Sequence, residues 1–232
     1  MIGIIGALEV EIRNILGQME GKVTHNIGGL DFIEGKLSGN PVVVARCGVG
    51  KVNAAHCTSN MLTSFNVTGV INTGVAGGIS PDVNIGDVVI STDLVQHDVE
   101  ASEFGYAIGQ VPGMDTIYFP ACKNLIEMVE KSAKYAMSGD KTLHIGRIAT
   151  GDQFISKPEA KNAIWNNHQA LCTEMEGGAI AQVCYLTDTP FVVIRAISDK
   201  ADGTAHKDFH AFAEDAAATS AKIVMDLVMV YG

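Results

Sequence analysis

The sequence has few basic residues, no paired-cysteine motif and no long apolar run, and each shortage narrows the field. Lys and Arg number 16 against 26 Asp and Glu, a formal net charge of −10. No Lys/Arg run is present, and a nucleic-acid footprint needs a basic patch or stripe, so no nucleic-acid partner is expected. The acidic balance serves solubility and says nothing about fold. The five cysteines (Cys47, Cys57, Cys122, Cys172, Cys184) form no CxxC pair. Several stand in apolar stretches, as reduced buried thiols do. Metal-ligand spacing among Cys and His is missing, so no metal is expected. No window approaches 18 uncharged apolar residues, which speaks against a membrane span. The N-terminus lacks a basic region and a cleavage site, so no signal peptide is read and a cytoplasmic location is expected. Linkers, repeats and low-complexity segments are missing too. With 232 residues, 47% of them hydrophobic, residues 1–232 are read as one well-packed domain.

What is present alternates buried strands with helices. Met1–Ala7 reads as a strand and Glu9–Met19 as a helix. Leu30–Leu37 and Val42–Cys47 flank Ser38-Gly39-Asn40-Pro41, a hairpin signal. Gly50–Phe65 reads as a helix and Val67–Asn72 as a strand followed by the glycine-dense Gly74–Gly78. Further strands are expected over Ile85–Val95, His144–Ala149, Leu171–Thr173 and Pro190–Ile197. Helices are expected over Ala121–Met137, Lys157–Asn166, Gly177–Tyr185 and Asp208–Val230. Gln96–Tyr118 is long and irregular, with Gly105, Gly109, Pro112 and Gly113. Inside a compact domain such a segment is functional or sits at an interface. The alternation predicts an α/β fold with a mostly parallel sheet covered on both faces.

Ligands in such sheets bind beyond the carboxyl ends of the strands. The residues found there are Ala7-Leu8-Glu9-Val10-Glu11, Thr73–Gly77, Thr150-Gly151-Asp152-Gln153-Phe154, Glu174-Met175-Glu176 and Ser198-Asp199. Converging carboxylates with little basic compensation suit a site that handles protons or stabilises a cation. Each has a plainer reading beside that one. Glu11 can complement a helix dipole, and Glu9 is read only that way. Glu174 and Glu176 are acidic residues at a helix start, or one of them grips a ribose diol. Asp199 is a cap, or a general acid whose pKa burial must raise above the usual 3.9 or so. Arg195 lies on the same side of its strand as Ile197, so it can bind substrate or hold a carboxylate near Asp199. Phe104, Tyr106, Phe154 and Phe209 can be core. His97, His206 and His210 carry no assignment.

Two nucleotide motifs fail. Gly3-Ile4-Ile5-Gly6 is not a full G-x-G-x-x-G. Gly48-Val49-Gly50-Lys51 lacks the earlier glycine of a phosphate loop, with Ala45 there, and Val52 replaces the Ser/Thr that would hold magnesium.

Taken in order, the segments resemble one family over nearly the whole chain: Ile4–Glu11, Gly48–Val52, Asn72–Gly78, His97-Asp98, Phe104-Gly105-Tyr106, Gly109–Gly113, Gly151–Ile155, Glu174-Met175-Glu176 and Arg195–Asp199. The sequence is similar to bacterial 5'-methylthioadenosine/S-adenosylhomocysteine nucleosidases of the purine nucleoside phosphorylase and uridine phosphorylase superfamily. The resemblance implies a three-layer αβα sandwich around a mixed, mostly parallel sheet, and a cofactor-free hydrolase that releases adenine from a 5'-thio-substituted adenosine. Asp199 matches the acid that protonates adenine N7, and Glu11 the base that activates water. Glu176 matches the grip on the ribose hydroxyls, with Met175 beside the sugar and Arg195 near water and ribose. Phe154 matches the ring stacked on adenine and Ile155 the backbone facing the base edge. Leu8, Val49 and Phe209 match pocket walls, and Val75, Gly77 and Ser198 join the substrate-binding set. A homodimer is implied, with Ala101, Phe104 and Pro112 reaching the neighbour's 5' pocket.

Water or phosphate as nucleophile is the sharpest fork. Related phosphorylases hold phosphate with an arginine and a serine, where this sequence has Asn72 and Val75, and Glu11 would repel a dianion. Hydrolysis is therefore expected. Val75 also departs from the serine of many such nucleosidases, and Leu8 from a common methionine. Gln96–Glu100 and Gly151-Asp152-Gln153 are similar to members that accept 6-amino-6-deoxyfutalosine, which shares the adenine and ribose. A silent nucleoside-binding domain is the alternative outside enzymes, and the set Glu11, Glu176 and Asp199 argues against it.

Overall fold

The computed structural model describes residues 1–137 and 139–231. Its elements follow in chain order as β1 (Ile2–Gly6), α1 (Glu9–Gln18), β2 (Glu20–Ile27), β3 (Leu30–Leu37), β4 (Asn40–Arg46), α2 (Lys51–Ser64), β5 (Gly69–Gly78) and β6 (Val88–Gln96). Then come β7 (Phe119–Pro120), α3 (Lys123–Ala136), β8 (Leu143–Thr150), α4 (Pro158–His168), β9 (Cys172–Glu174), α5 (Gly177–Leu186), β10 (Phe191–Asp199) and α6 (Ala205–Tyr231).

The strands form one mixed sheet in the order β10-β6-β8-β9-β5-β1-β4-β3-β2, with β7 beside β6. The runs β4–β1–β5–β10 and β6–β8–β9 are parallel. Antiparallel pairs come from β2–β3–β4 and from β10–β6, β5–β9 and β6–β7. Because β10 also pairs with β5, the five strands β5, β10, β6, β8 and β9 close into a ring, while β1, β4, β3 and β2 extend from it as an open wing. Sequence patterning, which sees only neighbours, gave no sign of this closure.

Helices cover both faces, and the strands divide their side chains between them with period two. Ile5, Val43, Ala45, Val70, Val193 and Ile197 pack on α2 and α5, through Ala54, Cys57, Met61, Ile180 and Cys184. Their neighbours Ile4, Val42, Val44, Ile71, Val192 and Ile194 pack on α1, α3 and α6, through Ile15, Val129, Val224 and Leu227. Strands buried on both faces read as the continuous apolar runs seen in the sequence.

Several elements differ from the sequence reading, and four of the differences bear on the site or the sheet. β2 was not foreseen, because it is an edge strand whose residues are mostly exposed and follow no apolar alternation. The hairpin turn is the two residues Ser38 (φ 51°) and Gly39 (φ 85°), with Leu37 opposite Asn40. The glycine-dense stretch is not a loop after a strand: β5 runs to Gly78, and β10 likewise runs to Asp199. Glycine weakens strands but permits close approach. A Cβ on Gly74 would sit 2.5 Å from Glu11 Oε1, and one on Gly77 2.8 Å from Asp199 Oδ1. Finally, α6 begins at Ala205, a turn before the expected Asp208.

Candidate active site

A cavity of about 350 Å³ opens where β5, β9 and β10 end and α1 and α5 begin. It collects residues from every strand end singled out above. Glu11, Glu176 and Asp199 line it, with Leu8, Val49, Val75 and Gly77. Phe154, Ile155, Met175, Ser198 and Phe209 complete the expected set found there. Arg195 does not line it, and neither do Ala101, Phe104 and Pro112. The strand-end residues Gln153 and Glu174 line it too, and wall residues that carried no such expectation are Thr173, His206 and His210.

Glu11 is only 4% exposed. It stands at the third position of α1, and its Oε2 accepts the Ala7 and Leu8 amides at 2.7 and 2.9 Å, while Oε1 accepts that of Val75 at 3.0 Å. The plain reading as a helix-start residue is thus true of Glu11 whatever else the side chain does. A carboxylate has about four lone-pair sites, and three amides leave one for a further donor. Burial pushes its pKa up, opposed by the Arg195 charge and the three amides. Glu9, by contrast, points to solvent.

Glu176 is the residue before α5 and is 6% exposed. One Oε accepts the Gly50 amide at 2.8 Å. Gly50 has φ 98°, a backbone that favours glycine, so the Gly48–Lys51 turn serves to aim an amide at this carboxylate. Burial, then the neighbouring Glu174 charge, raises its pKa to about 8. Asp199 ends β10 and is 2% exposed. Its Oδ1 accepts the Ala201 amide at 2.8 Å and its Oδ2 the Ser198 hydroxyl at 2.9 Å. Burial raises its pKa against those two bonds.

Arg195 is 1% exposed and holds Glu174. Its Nη2 donates to Glu174 Oε2 and to Asn72 Oδ1, both at 2.5 Å. Glu174 also accepts the Thr150 hydroxyl and the amides of Glu176 (3.0 Å) and Gly177 (2.7 Å). So of two glutamates that looked equivalent in the sequence, one is consumed by structural donors and the other keeps oxygens free. Asn72, placed where a phosphorylase would have its arginine, is tied to Arg195 and, through Nδ2, to the Ile5 carbonyl at 2.9 Å.

Most of the remaining wall is apolar, lined by Ala7, Leu8, Val49, Val75, Ile155 and Met175 with two phenylalanines. Phe154 and Phe209 meet edge to face with centroids 6.0 Å apart. Lys51 and Asp152, which flank the Val49 and Phe154 loops, join through Asp98: Lys51 Nζ donates to Asp98 Oδ1 at 2.7 Å, and Asp98 Oδ2 accepts the Asp152 amide at 2.9 Å. No group of three or more His, Cys, Asp or Glu fit to hold a metal occurs among the described residues. No helix among them is long and apolar enough to cross a membrane.

Comparison with known proteins agrees with this architecture. The family model described as "Phosphorylase superfamily" matches residues 1–229. The 5'-methylthioadenosine/S-adenosylhomocysteine nucleosidase of Geobacillus thermodenitrificans is 42% identical over 228 residues, covering 98% of this chain and 95% of the relative. The Neisseria meningitidis enzyme of that name, solved with methylthio-immucillin-A, superposes with TM-score 0.94 at 40% identity over 98% of both chains. Futalosine hydrolase of Helicobacter pylori superposes with TM-score 0.92 at 35% identity, covering 98% of this chain and 96% of that one. The chain therefore belongs to the phosphorylase superfamily and, within it, to the 5'-methylthioadenosine/S-adenosylhomocysteine nucleosidases, hydrolases of an N-glycosidic bond.

Proposed function

We propose that the chain hydrolyses 5'-methylthioadenosine and S-adenosylhomocysteine, and 5'-deoxyadenosine with them, releasing adenine and the free 5'-substituted ribose. The observation that carries this is the meeting of three buried carboxylates, Glu11, Glu176 and Asp199, in the wall of one largely apolar cavity.

Breaking the N-glycosidic bond builds positive charge on the ribose and negative charge on the departing adenine. Asp199, its pKa raised by burial, carries the proton that adenine N7 takes up. Glu11 receives the proton of the attacking water at its remaining lone pair. Glu176 accepts the ribose hydroxyls, and the positive charge that develops on the ribose favours its ionised form, so that it and Glu11 together steady the ribosyl cation. Phe154 and Phe209 flank the base, Ile155 offers backbone to its edge, and Met175, Leu8 and Val49 exclude water from sugar and tail. Arg195 acts at one remove by holding Glu174, which holds the Glu176 amide.

Water is the nucleophile in this reading. Among the described residues, the one buried guanidinium near the site is engaged by Glu174 and Asn72, so a phosphate dianion would meet carboxylates with no free cation from those residues. The structural likeness to a futalosine hydrolase favours a second reading, 6-amino-6-deoxyfutalosine as substrate, which needs the same adenine and ribose contacts.

We further propose a homodimer in which Ala101, Phe104 and Pro112 complete the neighbour's 5' pocket. Phe104 is 83% exposed, on a segment that also exposes Ile108. Burying such a ring in a partner is favourable. The five free thiols fit a reducing compartment, here the cytoplasm.

The test is adenine release from methylthioadenosine, S-adenosylhomocysteine, 5'-deoxyadenosine and 6-amino-6-deoxyfutalosine, with and without phosphate. The expected result is turnover of the first three that phosphate leaves unchanged, with the free 5'-substituted ribose as product. A ribose-1-phosphate product would overturn the hydrolase reading, and turnover of the futalosine analogue alone would replace the substrate.

A further inference from the structure

His206 and His210 stand one turn apart near the start of α6, both exposed and both in the cavity wall. Their side chains converge. The two Nε2 atoms lie 3.3 Å apart, with ring centroids 4.5 Å apart and planes inclined by 73°. Residues four apart share one helix face, so the pairing is built into a regular element and needs no loop to form. Two imidazole nitrogens on one cation, each about 2.0–2.1 Å from it, stand about 2.9 Å apart at the right angle of a tetragonal site and about 3.3 Å apart at the tetrahedral angle. The separation of 3.3 Å found here falls within that range, at its tetrahedral end. Phe209, between them in sequence, packs edge to face on the His210 ring at 5.9 Å and on Phe154 at 6.0 Å. The pair therefore stands at the rim of the aromatic part of the site.

We propose that His206 and His210 form a transition-metal site at the cavity rim, taking Zn²⁺, Ni²⁺ or Cu²⁺ through their two Nε2 atoms, and that the bound cation obstructs nucleoside entry. Imidazole suits these metals. No third His, Cys, Asp or Glu completes the group among the described residues, so the remaining coordination positions go to water or to a ligand in the cavity. Such a site is open and exchangeable, unlike the four-ligand sites that hold structural zinc.

Metal binding is independent of the nucleosidase reading and is measured without turnover. Untagged, metal-stripped protein is titrated with nickel chloride by calorimetry, and the copper(II)-loaded protein is examined by electron paramagnetic resonance. The expected result is one saturable site per chain with two coupled nitrogens, weakened at least tenfold by His206→Ala and by His210→Ala. Nickel affinity equal in parent and variants, or no saturable site, would overturn the assignment and leave the pair as a hydrogen bond between imidazoles. Obstruction is read as fractional inhibition of adenine release, each protein against its own metal-free rate. At least tenfold more nickel is expected for half-inhibition of either variant, and saturating nickel that leaves the parent's rate unchanged would overturn obstruction.

Discussion

Two acidic regions meet at Glu174-Met175-Glu176, and they are built on opposite principles. On one side lies a closed knot: Glu174, Arg195, Thr150 and Asn72, in which a guanidinium, a hydroxyl and two amides converge on a single carboxylate. On the other lie Glu11, Glu176 and Asp199, buried to the same depth yet held only by neutral amides and a hydroxyl, with no salt bridge to any of the three among the described residues. Burial alone does not tell a structural carboxylate from a reactive one, since Glu174 and Glu176 are 7% and 6% exposed. The donors that surround each one do. A carboxylate whose lone pairs are spent fixes the backbone, and one that is buried with lone pairs to spare is available to substrate.

The largest expected effect separates the two regions by chemistry. Asp199→Asn removes the proton donor and is expected to lower adenine release about 10²–10⁴-fold, while calorimetry still detects binding of an adenosine analogue. Equal release by variant and parent would detach Asp199 from the reaction. Next comes stability. Glu174→Gln leaves the Arg195 guanidinium buried without its charge partner, a loss of about 3–5 kcal/mol in urea unfolding. If the same change at Glu176 is as destabilising, the distinction between knot and wall fails.

Glu176→Gln is expected to behave in the reverse sense, with a pH signature. Burial raises the Glu176 carboxyl from 4.5 to about 8, so the fold favours its protonated form. The stability that form contributes is full below about pH 4.5 and is lost as pH rises through about 8. Glutamine never ionises, so in the unliganded protein the Tm of the variant should gain on that of the parent across that window, by about 2–4 °C per kcal/mol. A constant difference from pH 5 to 9 would contradict the raised value.

Much of this site was legible in the sequence, and the reasons are specific. Glu11, Asp199 and the Glu174/Glu176 pair stand out because carboxylates after apolar strands are conspicuous in a chain with little basic compensation. The apolar runs of β1, β4, β5 and β10 revealed strands buried on both faces. What was not legible depends on long-range pairing. The ring closure rests on β10 pairing with both β5 and β6 and on β9 lying between β8 and β5, contacts that no local pattern encodes. The division of labour between Glu174 and Glu176 needed the position of Arg195, which arrives from a strand about twenty residues later. His206 entered the cavity wall because α6 starts at Ala205, a turn earlier than its apolar spacing suggested. Thr173, buried in the wall with its hydroxyl unpartnered among the described residues, had no sequence signal at all.

Two smaller effects sharpen the geometry around the wall. Gly77→Ala places a Cβ 2.8 Å from Asp199 Oδ1 and 3.0 Å from Ala201 Cβ. A loss of about 1–3 kcal/mol by overpacking is expected, together with slower adenine release. Gly78→Ala, whose Cβ meets nothing nearer than 3.4 Å, should cost less of both. The smallest change is Val75→Ser, which adds one hydroxyl beside Glu11. One hydrogen bond contributes about 0.5–1.5 kcal/mol, so kcat/KM for methylthioadenosine should move by no more than about tenfold.

The most direct test of the central claim is a crystal structure of the protein with a bound, unreactive adenosine analogue. Glu176 is expected within hydrogen-bond reach of both ribose hydroxyls, Asp199 at N7 of the base, and a water on the opposite sugar face bonded to Glu11. An analogue seated elsewhere, or one whose ribose and base turn away from these three side chains, would contradict it.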